Sequence, residues 1–145
     1  MNIKQIVVTI EGDADQVSEV AELLAENGIN IIFISLPDHC PSQPKLLRLI
    51  VNDVEKGNKI LMQRGIKADL TDVVVAEIPD KPGGMARILT IIKKSGLINH
   101  ALQAYSQRSG ECGLVVINFP SIDYAITQLS QAGVRILSIE ELLAR

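Results

Sequence analysis

The chain has no tryptophan, only two phenylalanines and two tyrosines, and no cluster of lysine and arginine among its 145 residues. Without aromatic platforms to stack bases or a basic stripe to neutralise phosphates, nucleic acid is excluded as a partner, and the net charge of −3 agrees. The opening Met1 to Glu11 alternates in strand fashion and carries Lys4, which fits neither a signal peptide nor a membrane-spanning segment. The cytoplasm is therefore the expected location, with no membrane partner. Only two cysteines occur, Cys40 and Cys112, and in a chain without an export signal they are expected as free, buried or half-buried thiols. No G-x-S-x-G follows a strand, no G-x-x-x-x-G-K cradles a phosphate, and nothing assigns a base to a serine or cysteine. No catalytic residue and no cofactor are expected, so the chain does not read as an enzyme. Asp38, His39 and Cys40 sit together in the loop Pro37 to Pro44, but adjacent residues rarely share one ion and zinc needs about four ligands at C-x2-C or H-x3-H spacing, so no metal is expected.

What the chain does contain is itself, twice. A shift of 68 positions lays one half over the other. Val17, Val20, Ala21 and Leu24 mark a helix face at i, i+3, i+4 and i+7, and Met85, Ile88, Leu89 and Ile92 repeat it. Gly28 maps onto Gly96 and Gly65 onto Gly133, each placed where a helix should stop in a left-handed residue. Ile29 to Ile34 and Leu97 to Leu102 follow the first pair as strands. The second helices span Val54 to Arg64 and Ile122 to Ala132, with β-prone stretches Ile66 to Leu70 and Val134 to Ile139 after them.

Each half reads strand, helix, strand, strand, helix, strand. The predicted class is α+β: two tandem ferredoxin-like βαββαβ units, residues 1–71 and 72–145, with antiparallel sheets and helices on one face. No Gly/Ser-rich or Pro-rich linker separates them, and Ile66 to Leu70 passes almost directly into Val73 to Ile78. A unit of roughly 70 residues buries only about 60% of its unfolded surface, so side-by-side packing of the two is expected. Leu114 to Ile117, Ile6 to Val8 and Val73 to Val75 are apolar on both faces, while two helices cover only one. A homodimer packed sheet to sheet is the economical way to cover the other.

One segment has the makings of a binding site. Ile78-Pro79-Asp80-Lys81-Pro82-Gly83-Gly84-Met85 joins the first strand of the second unit to its first helix. Pro82 suits a helix start, and Gly83 and Gly84 allow close approach to the backbone, so that the N–H groups of Gly84, Met85 and Ala86 and the helix dipole could receive a carboxylate. Asp80 could hold an ammonium. A small amino acid would satisfy both, whereas the alternative is a tight strand-to-helix turn and nothing more.

The run Ile78 to Leu89, followed by Ile91-Ile-Lys-Lys-Ser-Gly-Leu-Ile-Asn99, resembles the opening of the ACT domain, with its acidic residue and Pro-Gly before an amphipathic helix. Leu23-Leu-Ala-Glu-Asn-Gly-Ile-Asn-Ile31 resembles the same helix end and second strand, so the resemblance covers both units. It implies a non-catalytic regulatory protein that binds an amino acid between modules and signals to a partner enzyme. The implied ligand-binding residues are Asp80, Pro82, Gly83, Gly84 and Met85, with Asn30, Ile31 and Asn99 on the second strands. His100 beside Asn99 is either a ligand contact or a partly buried histidine. The first unit replaces Pro-Gly with Gly12-Asp13-Ala14-Asp15, whose carboxylates would cap the helix and repel an anion, so one competent loop per chain is expected. The alternatives are an interaction module without a small ligand, metal binding through His39 and Cys40, and a small hydrolase. The last lacks the arginine-centred phosphate cradle such chemistry needs.

Overall fold

The computed structural model describes residues 2–11, 14–36, 41–97, 101–106 and 112–144. The chain divides into two compact units, Lys4–Thr71 and Asp72–Arg145, the latter with Met1–Ile3. Elements follow in the order β1 (Ile3–Ile10), α1 (Ala14–Glu26), β2 (Ile31–Ser35), β3 (Lys45–Val51), α2 (Val54–Gln63), β4 (Ala68–Pro79), α3 (Gly84–Lys94), β5 (Ala101–Ser106), β6 (Cys112–Asn118), α4 (Ile122–Gln131), β7 (Arg135–Ile136) and α5 (Ile139–Leu143).

In the first unit β3 lies between β2 and β1, antiparallel to both, and β1 neighbours the start of β4. The Thr9 N–H donates to the Lys67 carbonyl at 3.0 Å on that side. In the second unit β4 lies between β7 and β6, and β6 between β4 and β5, all antiparallel. Both orders are those of the ferredoxin-like βαββαβ unit.

The four long helices end in one way. Gly28, Gly65, Gly96 and Gly133 take φ between +68° and +84°, a conformation an L side chain resists. Each N–H bonds three residues back, and the apolar residue after it bonds five back: Ile29 to Leu24, Ile66 to Leu61, Leu97 to Ile92 and Val134 to Leu129. This double bond is the Schellman stop, and it brings together the two apolar side chains that seal each helix end against the core. Asp53 starts α2 by accepting from the Lys56 N–H at 3.2 Å.

Each unit has its own core. Ile6, Val8 and Ile10 of β1, Leu47, Leu49 and Val51 of β3, and Val20, Leu24 and Leu61 of the helices pack in the first. Val74, Ala76 and Ile78 of β4, Val115 and Ile117 of β6, and Ile88, Ile92, Ala125 and Leu129 pack in the second. Complete burial of one such aliphatic side chain is worth roughly 1.5–3 kcal/mol.

Five particulars differ from the sequence expectations. Ile66 stays in the Gly65 stop, and Ala68 to Leu70 and Val73 to Ile78 are one strand, β4, because no residue between them breaks extended structure. Leu97 does not open the second strand of the second unit but stays in the Gly96 stop, and the described part of that strand is Ala101–Ser106. Val134 to Ile139 is not all strand: β7 has two residues, after which Ser138 opens α5. Leu89 is 44% exposed, and Ile91 joins Met85, Ile88 and Ile92 in facing the core. Finally, Val73, Val75, Leu114 and Val116 are all at most 3% exposed in the single chain. The inference of a second chain from an apolar sheet face therefore has no exposed face to rest on at these positions.

Candidate functional site

The turn between β4 and α3 is built by local rules. Pro79, the last residue of β4, is paired with Cys112, and Asp80 and Lys81 then leave the sheet exposed to solvent. The Gly84 N–H donates to the Lys81 carbonyl at 3.1 Å, and Gly83 sits at φ +92°, ψ −13°. Proline second and a left-handed glycine third make Lys81-Pro82-Gly83-Gly84 a type II β-turn. Pro82 thus stands two residues ahead of the first helical residue, not in the first turn of α3, and Gly83 is the N-cap.

The two glycines do different jobs. Gly83 supplies the left-handed turn. Gly84 is buried, and a Cβ on it would collide with the Pro79 carbonyl oxygen. Its bare Cα is therefore required by the protein's own backbone, where the sequence suggested an approaching ligand.

Gly83 has no side chain to cap the helix, and α3 has no acidic residue in its first turn. With the Gly84 N–H committed to Lys81, the Met85 and Ala86 N–H groups are the first-turn donors without a protein acceptor among the described residues. They project where the helix dipole is positive. Lys93 and Lys94 complement the opposite end. This geometry can receive one carboxylate with two backbone bonds, and Asp80, Pro82, Gly83, Gly84 and Met85 all belong to this one turn.

The remaining expected residues are not part of this turn. Asn30 is in the first unit, where its N–H donates to Asn52 Oδ1 at 2.9 Å and its carbonyl accepts from the Asn52 N–H at 3.1 Å. Ile31 pairs with Val51 and packs on the first core. Asn99, His100, Asp13 and the Asp38-His39-Cys40 group fall outside the described residues, as does the side chain of Asp15. At the start of α1, Gln16 Oε1 accepts from the Glu11 N–H at 2.7 Å, a reach back from the first turn to the incoming chain.

Two features were not foreseen. Cys112, half-buried, donates its S–H to Glu77 Oε1 at 3.1 Å, and Glu77 Oε2 is 3.4 Å from Arg135, which also reaches Glu141 at 2.9 Å. The Arg135 hydrogen bond, followed by those from Ser138, holds the Glu141 carboxyl below its ordinary pKa, and the same Glu141 bond together with the Glu77 charge raises that of Arg135. The sequence signal was Ser138-Ile-Glu-Glu141, a capping box that fastens α5. Secondly, a shallow groove of about 510 Å³ runs along α2, lined by Glu55, Asn58, Lys59, Met62, Gln63 and Leu70. Met62 is 59% exposed in it, and Asn58 Nδ2 donates to Met62 Sδ at 3.5 Å.

Among the described residues no helix is long and apolar enough to cross a membrane, and no group of three or more His, Cys, Asp and Glu could hold a metal ion. No curated protein sequence matches the chain. Among solved structures, protein BT0572 from Bacteroides thetaiotaomicron is similar with a TM-score of 0.89 and 27% identity, covering 98% of this chain and 96% of that one. The regulatory subunits of aspartate kinase from Thermus flavus (TM-score 0.62, 21% identity, 91% and 93% covered) and Thermus thermophilus (0.65, 19%, 89% and 89%) share the fold. The ACT domain pair family model matches residues 1–138. With two βαββαβ units along a chain that this model spans almost end to end, the protein belongs to the ACT domain pair family.

Proposed function

We propose that this protein is a non-catalytic regulator that binds a small amino acid at the β4–α3 turn and passes the occupancy of that site to a partner enzyme. The observation that carries the reading is the pair of N–H groups, Met85 and Ala86, that find no acceptor among the described residues at a helix start with no capping side chain. They take the ligand carboxylate, and the exposed Asp80 takes its ammonium. Asn99, which belongs to the same unit as the turn, is proposed to contact the rest of the ligand. Family membership supports the choice, as do the Thermus neighbours, which are regulatory subunits of aspartate kinase. Signalling follows if the ligand binds one conformation more tightly than another, since only differential affinity shifts a population.

Thermal unfolding against each of the twenty amino acids at millimolar concentration tests this. A ligand at about 100 times its dissociation constant adds roughly 2.7 kcal/mol, or about 5–11 °C for a chain of this size. Asp80→Asn should remove most of that rise while leaving the unliganded melting temperature within a degree or two, since Asp80 is exposed. If no amino acid raises the melting temperature, the turn is structural only and the chain acts through protein contacts alone.

A further inference from the structure

The first unit's sheet carries a half-buried guanidinium with no carboxylate beside it among the described residues. Arg48 sits in the middle of β3, opposite Val7 of β1 and Ser35 of β2. Strand alternation puts it on the face of Ile50, away from Leu47, Leu49 and Val51, which pack under the helices. Its Nη1 donates to Gln5 Oε1 at 3.2 Å, and Gln5 is 1% exposed, a buried acceptor that fixes one corner of the guanidinium. Among the described residues no carboxylate lies within ion-pair distance of Arg48. Its pKa is lowered by burial, with no acid opposing the shift.

A long cationic side chain can lay its stem over apolar surface with the head in water, and that accounts for the stem. It does not account for the head being tied to a buried amide, where partial desolvation disfavours the charge and an approaching anion would offset that cost. With Nη1 held by Gln5, the Nε and Nη2 donors remain, and this edge of a guanidinium matches the two oxygens of a carboxylate. We propose that Arg48 is a carboxylate-binding residue on the face of the first unit's sheet opposite to the one that packs under α1 and α2, with Gln5 as its positioning residue.

The full chain can be titrated with sodium acetate, and separately with a blocked aspartyl peptide, at constant ionic strength held with sodium chloride, while the Arg48 Nε–Hε resonance is followed by NMR. A saturable shift is expected, and at least tenfold tighter binding of one probe assigns the source, a free small-molecule carboxylate for acetate or a protein side chain for the peptide. Similar affinities assign the carboxylate alone. In Gln5→Met, which frees the guanidinium, the shift should need at least threefold more probe. Asp80→Asn should leave the shift unchanged, and Arg48→Met should abolish an acetate-dependent rise in melting temperature while keeping the amino-acid response. A shift that is linear and equally produced by chloride, or one lost in Asp80→Asn, overturns the assignment. Loss of the amino-acid response with the Arg48 shift intact overturns only the function proposed above.

Discussion

Replacing Gly84 by alanine should be among the most costly single-atom additions in this protein, for a reason unconnected with ligand. Its Cβ would strike the Pro79 carbonyl oxygen and lie 3.3 Å from the carbonyl carbon. That carbonyl ends β4 at a residue paired with Cys112, so it cannot swing aside without disturbing the strand end. Overpacking against a fixed group costs about 1–3 kcal/mol, occasionally more, and the collision here is with backbone, so the upper part of the range applies. Alanine returns at most about 1 kcal/mol of helix propensity, and less at a first helical residue. The net loss is then about 2–3 kcal/mol, a fall of roughly 4–12 °C in melting temperature for a chain of this size. Urea unfolding followed by circular dichroism measures it, with an unchanged m-value showing that the native state is otherwise the same. Gly96→Ala is the control: its site has φ +68° but open space around the added atom, so left-handed strain alone, about 1–2 kcal/mol, should appear. A Gly84→Ala protein within about 0.5 kcal/mol of the parent would refute the reasoning. The same collision means that a side chain at Gly84 alters the turn itself, so loss of ligand response in such a variant would not identify a binding contact.

Neighbouring residues on α3 should respond oppositely to truncation: Ile88→Ala, at 1% exposure, should cost about 2–5 kcal/mol, whereas Leu89→Ser, at 44% exposure, should change stability by less than about 0.5 kcal/mol in the same unfolding assay. Ser138→Ala removes the capping box of α5 and should cost about 1 kcal/mol, with faster amide exchange confined to Ile139–Leu143. The hydrogen bond from Arg135 lowers the Glu141 pKa, so whatever stability that carboxylate contributes is present above its unfolded pKa and is lost as pH falls through the folded one. Arg135→Met should therefore raise the titration midpoint of the Glu141 carboxyl followed by NMR, and an unmoved midpoint would show that the pair does not persist in solution.

Much of this fold was legible in one dimension because its signals are local. The helix faces follow from a 3.6-residue period, and the four stops follow from a glycine plus an apolar residue just beyond it, as at Gly28-Ile29 and Gly133-Val134. Their recurrence at a fixed shift determined the two βαββαβ units, and Pro82-Gly83 determined a turn at the mouth of α3. Only the tertiary structure decided the rest. That Leu89 is exposed while Ile91 packs inward depends on where the sheet lies beneath α3. Burial of both faces of β4 and β6 depends on what the chain places over them, which alternation along a strand cannot reveal. Gly84 is required by the carbonyl of a residue five positions earlier, and Arg48 is tied to Gln5 across 43 positions of sequence. Periodicity reports which side of an element is apolar, whereas distances between groups far apart in the chain arise only once hydrogen bonding and packing have fixed the backbone around them.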